Sequence, residues 1–147
     1  QILRKALDLY ETRMRNHGVG LTIEGDALQA LIECHPYQIA QVFANLLSNS
    51  TEAIDRLAVK WIRIIVSDFQ DKVEIRVEDS GPGILPEIGE KIMTPFFTTK
   101  ELGTGIGLTI ARSILANHNG TIHLDKKSAN TCFVVILPKT QAVVKFG

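Results

Sequence analysis

"WIRIIVSDFQDKVEIRVEDSGPGI", residues 61–84, decides the fold. Its two runs, "WIRIIVSDF" and "KVEIRVED", alternate inward and outward positions around Gln70 and Asp71, the pattern of a hairpin of half-buried strands. Downstream, "GTIHLD" and "TCFVVILP" (residues 120–125 and 131–138) read as a second, closing hairpin. Upstream, "VGLTIEG" and "LQALIEC" read as short strands joined by a polar turn at Gly25 and Asp26. Helical spacing marks three other segments: Ile2 to about Met14, ended by "NHGVG"; Pro36 to about Leu57; and Ile106 to Asn117. Strands that come in hairpins, rather than in strict β-α-β alternation, predict an α+β two-layer sandwich. Its sheet is mixed and largely antiparallel, with the helices packed on one face.

The second strand of the first hairpin ends at Asp79, and five of the eleven glycines fall in two patches after it: Gly81 and Gly83, then Gly103, Gly105 and Gly107. Glycine raises the entropy cost of ordering a regular element, so clusters beside such elements mark turns or close approaches of the backbone to something else. The turn alone accounts for any one residue of "DSGPG". A carboxylate at a strand end also accepts a hydrogen bond from an exocyclic amino group such as that of adenine, where guanine has a carbonyl, and Gly81 and Gly83 let the chain pass close to the ring. "GTGIGL" (residues 103–108) runs straight into a helix. It reads equally as a hinge or as a helix start whose N–H groups face phosphates. Between the patches, "TPFFTTKELG" offers Phe96 and Phe97 as core residues or as anchors of a lid, with Lys100 as a point charge for phosphate.

The familiar phosphate loops are excluded. No glycine precedes a lysine, and Pro86, Leu108 or Ile110 falls where the last glycine of G-x-G-x-x-G belongs.

The long helix, "PYQIAQVFANLLSNSTEAIDRL", has two faces. Val42, Phe43, Leu46, Leu47, Ala53, Ile54 and Leu57 form its core side; Gln38, Gln41, Asn45, Asn49, Glu52 and Arg56 form a polar stripe at steps of three or four. Most of that stripe is a solvated face. Asn45 and Asn49 stand apart, because asparagine is a poor helix former and the two amide oxygens point the same way, as oxygen ligands for a magnesium ion delivered with nucleotide phosphates would.

At 147 residues, 45% hydrophobic and 22% charged, the chain fits one globular domain with a real core. Sixteen basic against sixteen acidic side chains give no overall field to attract nucleic acid or an anionic membrane surface. Cys34 and Cys132 lie far apart in apolar stretches and read as buried free thiols, in keeping with a reducing compartment. No apolar run reaches membrane-spanning length and no signal-peptide plan opens the chain, so the expected location is cytoplasmic, without direct membrane contact. The start at Gln1 and the trailing "KTQAVVKFG" suggest a piece of a longer protein.

Taken in order, "NLLSN", "DSGPG", "PFFTTK" and "GTGIGL" resemble the N, G1, F and G2 boxes of the catalytic and ATP-binding domain of two-component sensor histidine kinases, a member of the Bergerat-fold (GHKL) superfamily that includes type II topoisomerase and heat-shock chaperone ATPases. The likeness spans Pro36 to Pro138, and the short lid looks most like the nitrogen-regulation class. The resemblance implies ATP and Mg2+ as cofactors, residues 1–138 as the domain and 139–147 as an extension. It implies that Asn49 coordinates the metal with help from Asn45, and that Asp79 reads the adenine amino group. Gly81, Gly83 and Thr131 would lie near the base, Ile84 and Phe97 would be further nucleotide-binding residues, and Lys100 would lie near the phosphates. Gly103, Thr104, Gly105, Gly107 and Leu108 would form the lid hinge and the phosphate-facing helix start.

ATPase branches of the superfamily carry a water-activating glutamate four residues before the metal-binding asparagine. Here that position is Asn45, which is no general base at neutral pH, so efficient hydrolysis is disfavoured. Transfer of the γ-phosphoryl group to an imidazole nitrogen needs chiefly positioning and charge neutralisation. None of His17, His35, His118 and His123 has the H-E-x-x-P context of a family acceptor, so all four read as structural or surface residues. The expected partners are a histidine-bearing dimerisation domain and a response regulator. Three positions depart from the family: His35 replaces an acid, Glu52 stands where a phosphate-contacting Lys or Arg is common, and "SAN" replaces the glycine-rich approach to Thr131. The rivals are a serine kinase and anti-sigma factor of the same fold, which generally keeps an acid at the Asn45 position, and a pseudokinase that only binds nucleotide.

Overall fold

A computed structural model of the chain describes residues 11–12, 14–25, 36–82 and 106–139. Among the described residues, five strands form one sheet: β1 (Gly20–Glu24), β2 (Trp61–Asp68), β3 (Lys72–Asp79), β4 (Thr121–Leu124) and β5 (Cys132–Pro138), in the spatial order β1-β2-β3-β5-β4. β1 runs parallel to β2 and every other pairing is antiparallel, as the hairpin pattern predicts. Helices α1 (Pro36–Ala53) and α2 (Ile106–Asn117) pack against the sheet, and residues 14–16 are also helical.

Alternation sets the hairpin's register. Ile62, Ile64 and Val66 of β2 and Val73, Ile75 and Val77 of β3 are all buried, Ile64 lies opposite Val77, and the intervening residues are only partly covered. The turn closes through a bond from the Phe69 N–H to the Lys72 carbonyl (2.9 Å). On the covered face, Ile39, Val42, Phe43, Leu46 and Leu47 of α1 join Leu108, Ala111, Ile114 and Leu115 of α2 in one core with the sheet. Spacings of three and four put each set on one stripe of its helix. Charges occupy the other face of the sheet: Arg63 lies between Glu24 (3.9 Å) and Glu78 (3.7 Å), and Arg76 contacts Glu74 (3.3 Å) and Asp125.

β1 is followed by Gly25, whose φ of +118° no other residue adopts without strain; a Cβ there would also lie 2.0 Å from the Val66 carbonyl oxygen. The strand therefore gives way at Gly25, the first residue of the expected turn. Asp26, the strand expected over 28–34, Cys34 and His35 lie outside the described residues, as does most of the first expected helix.

α1 stops short of the expected Leu57. After Ala53 the chain tightens, with the Asp55 N–H on the Glu52 carbonyl (3.3 Å) and the Leu57 N–H on the Ile54 carbonyl (2.9 Å). Such i→i+3 bonds satisfy carbonyls at a helix end without continuing the helix, and they leave Leu57 packed against the core as the apolar spacing requires. α2 matches its expected bounds and is closed off by Asn119 just beyond it, in the left-handed region at φ 58°. His118, 1% exposed, shares a 2.9 Å hydrogen bond between Nδ1 and the Ile114 carbonyl, while His17 and His123 are exposed. All three fit the structural or surface reading. Cys132 is a buried free thiol.

Candidate functional site

Antiparallel pairing sets the end of β3 beside the start of β5, and the Asp79 N–H donates to the Thr131 carbonyl (2.9 Å). Asp79 is 2% exposed. Its Oδ1 accepts the Gly81 N–H at 2.8 Å, and the Ser50 hydroxyl of α1 donates to the same carboxylate. Burial is the main influence on this acid and pushes its pKa up to about 6, with Glu78 acting in the same direction and the Gly81 and Ser50 donors against it.

Gly81 is held on its carbonyl side by the Asn130 side-chain amide (3.0 Å) and the Thr131 N–H (3.4 Å). A Cβ at Gly81 would stand 2.7 Å from Asp79 Oδ1 and 3.1 Å from Thr131 Oγ1, so only glycine leaves this contact intact. Ser80 anchors the loop to the base of β2 by donating its N–H to the Trp61 carbonyl (3.0 Å) and accepting the Trp61 N–H on its Oγ (3.2 Å).

A cleft opens here between α1, the start of α2 and the strand ends, lined by Asn49, Ser50, Ala53, Asp79, Leu108, Thr131 and Phe133. Ala53, Leu108 and Phe133 offer apolar walls, Asp79 a buried acceptor, and Ser50 and Thr131 hydroxyls. That is the donor–acceptor set for a flat heteroaromatic ring with an exocyclic amino group. Asn49 adds a second cue. Its Nδ2 is buried without a hydrogen-bond partner, a state that costs about 1–3 kcal/mol unless a ligand supplies the acceptor.

The structure thus brings together Asn49, Asp79, Gly81, Leu108 and Thr131. Asn45 is half-buried one turn before Asn49 on α1, and Gly107 falls in the first turn of α2. Gly83, Ile84, Phe97, Lys100, Gly103, Thr104 and Gly105 lie outside the described residues. The replacement of a glycine-rich approach by "SAN" leaves Thr131 at the cleft, because Asn130 itself ties that approach to Gly81.

For a divalent cation the protein offers neutral oxygens. Among the described residues no three of His, Cys, Asp and Glu cluster as metal ligands. The amides of Asn45 and Asn49 suit a hard ion that keeps most of its contacts to phosphate oxygens and water, and the unpartnered end of Asn49 at the cleft wall fits a phosphate-bearing ligand.

Ser50, Ala53, Asn130 and Phe133 did not stand out as site residues in the sequence. For Ser50 a signal exists: it follows Phe43, Leu46 and Leu47 on the buried stripe of α1 and precedes Ile54, a hydroxyl where the spacing calls for an apolar side chain.

Residues 34–141 match the family described as histidine kinase-, DNA gyrase B-, and HSP90-like ATPase. The chain belongs to this family. Within it, the chain is 34% identical over 141 residues to the C4-dicarboxylate transport sensor protein DctB of Rhizobium meliloti (strain 1021), covering 95% of this chain and 22% of DctB. Among solved structures, the nucleotide-free catalytic domain of the histidine kinase ThkA superposes with a TM-score of 0.83 at 36% identity, covering 95% of this chain and 92% of that domain. ThkA in complex with the response regulator TrrA superposes with a TM-score of 0.81 at 33% identity, covering 95% of this chain and 40% of the kinase. The chain therefore spans about a fifth of the length of curated relatives such as DctB (22%). Family and fold are those expected from the four sequence boxes.

Proposed function

We propose that this chain is the ATP-binding catalytic domain of a sensor histidine kinase, which transfers the γ-phosphoryl group of ATP to a histidine on a separate dimerisation domain, from which it passes to a response regulator. The observation that carries the reading is the buried Asp79 carboxylate, held by Gly81 and Ser50 in a cleft that also contains the unpartnered Asn49 amide. In this reading Asp79 accepts the adenine N6 amino hydrogen, and the neighbouring Gly81 keeps the backbone close to the ring. Leu108 and Phe133 exclude water from the base, while Thr131 offers a hydroxyl beside it.

Asn49 and Asn45 hold the magnesium and orient the phosphates. Bound there, Mg2+ supplies charge neutralisation on the β- and γ-phosphates. Gly83, Ile84 and Phe97 are proposed as further nucleotide-binding residues. Lys100 and the segment Gly103, Thr104, Gly105 and Gly107 supply phosphate contacts and the hinge. An imidazole nitrogen of the acceptor histidine uses its lone pair to form the N–P bond as the bond to the β–γ bridging oxygen breaks and ADP leaves. Asn45 in the place of a water-activating acid favours this transfer over hydrolysis.

The proposed domain is residues 1–138 with 139–147 as an extension, placed in the cytoplasm. Among the described residues no helix is long and apolar enough to cross a membrane. Response-regulator partnership is proposed by analogy with the ThkA–TrrA complex.

Calorimetric titration with non-hydrolysable ATP and GTP analogues, each with and without magnesium, tests this reading. Magnesium-linked binding of the adenine nucleotide alone is expected, followed by phosphoryl transfer once a histidine-bearing helical domain is added. A folded sample that binds neither nucleotide would overturn it.

A further inference from the structure

We propose that Ser50 is a positioning residue for nucleotide recognition, its hydroxyl fixing the orientation and the negative charge of the Asp79 carboxylate that meets the adenine amino group. The inference rests on the nucleotide reading of the cleft and adds a residue to it.

Three observations converge on Ser50. It is 3% exposed and lies on the stripe of α1 otherwise occupied by Phe43, Leu46 and Leu47, where an alanine would satisfy both packing and helix propensity. A hydroxyl taken out of water there is unfavourable unless bonded, and this one donates to Asp79. Ser50 also lines the cleft alongside Asp79 and Thr131. The adjacent Thr51 makes a useful contrast. Its Oγ1 bonds back to the Leu47 carbonyl of its own helix (2.7 Å), so it serves only the helix, whereas the Ser50 bond crosses from helix to sheet.

Asp79 receives one donor from its own loop, the Gly81 N–H, which fixes Oδ1. A single bond leaves the carboxyl group free to turn about it. The Ser50 donor from a second element removes that freedom, leaving the remaining lone pairs for the ligand. It also favours the ionised form, the one that accepts from an amino group without offering a competing proton. Among the described residues, the charged side chain acting on Asp79 is Glu78, on the other face of β3 and 3.7 Å from Arg63. Both remain in place when Ser50 is changed, so the effect of the hydroxyl is separable.

The test compares the wild-type chain with Ser50→Ala, Ser50→Cys and Ser50→Thr. Affinity for a non-hydrolysable ATP analogue with magnesium is measured from well below to well above the Asp79 value of about 6. In parallel, carbon NMR of the Asp79 carboxyl is followed in the ligand-free chain. Ser50→Ala is expected to weaken binding roughly tenfold at neutral pH and to move both the binding midpoint and the carboxyl titration to higher pH. Ser50→Cys, nearly the same shape with a weak donor, follows Ser50→Ala and serves in its place should that variant fold poorly. Ser50→Thr, which keeps the hydroxyl, retains the wild-type midpoint. Wild-type binding with an unmoved Asp79 titration in both Ser50→Ala and Ser50→Cys overturns the role of Ser50 alone. Absence of nucleotide binding by the folded wild type overturns the nucleotide reading and this inference with it.

Discussion

Asp79 works against the stability of the ligand-free domain. Its folded pKa of about 6 lies above the ordinary value of 3.8, so between these limits the folded state binds more protons than the unfolded state. The stabilising contribution is therefore fully present below about pH 4 and is lost as pH rises through about 6, amounting to roughly 3 kcal/mol across the window. Asp79→Asn, isosteric and uncharged, should melt higher than wild type at neutral pH, lose most of that pH dependence, and yet bind adenine nucleotide more weakly. Thermal melts on both sides of pH 6, paired with titration calorimetry, check both halves. Gly81→Ala should displace the carboxylate and cost about 1–3 kcal/mol together with nucleotide affinity, because its new methyl would stand 2.7 Å from Asp79 Oδ1. Asn49→Asp should change the magnesium concentration needed for binding; identical magnesium dependence would remove Asn49 from the metal site. Asp79 was legible in the sequence because "DSGPG", which a turn alone would explain, falls in order with "NLLSN", "PFFTTK" and "GTGIGL". Ser50 carried only the faint signal of a hydroxyl on an apolar stripe, since a lone serine in a helix usually bonds its own backbone, and its partner lies on a strand far along the chain.

At the scale of elements, what the sequence revealed depended on the range of the forces involved. Period-two alternation in β2 and β3, and the apolar spacing of α2, are local and redundant, so their bounds followed from the residues themselves. The end of α1 is settled instead by competition. Ile54 and Leu57 keep the apolar spacing going, but the backbone tightens after Ala53 to satisfy its last carbonyls, and spacing alone does not report that change. The parallel pairing of β1 with β2 was likewise hidden, because a strand's own residues specify a buried face but not its partner's direction. Phe43 joins helix and sheet at the centre of the core, 1% exposed, and Phe43→Ala should destabilise the domain by about 3–5 kcal/mol in denaturant unfolding. Arg63→Ala, on the partly exposed charged face, should cost under about 1 kcal/mol, since its two ion pairs are long and partly solvated.

Across the whole molecule, the site exists because several elements meet at one cleft. α1 supplies Asn49 and Ser50, β3 supplies Asp79, the approach to β5 supplies Thr131 and the start of α2 supplies Leu108, so no segment holds the cleft by itself. A ligand bound there draws on most of the cooperative structure. Magnesium and an ATP analogue at a hundred times the dissociation constant should therefore stabilise the chain by about 2.7 kcal/mol, read as a rise in melting temperature. Cys132, next in sequence to Thr131, gives that coupling a clock. Its sulfur is fully enclosed and burial pushes the thiol up to about 11, so an alkylating reagent reaches it at neutral pH only when the beginning of β5 comes away from its neighbours. Peptide-resolved mass spectrometry of the trapping rate would thus time the spontaneous breathing of the cleft wall, and a nucleotide that bridges α1 and β3 should slow it in proportion to its occupancy.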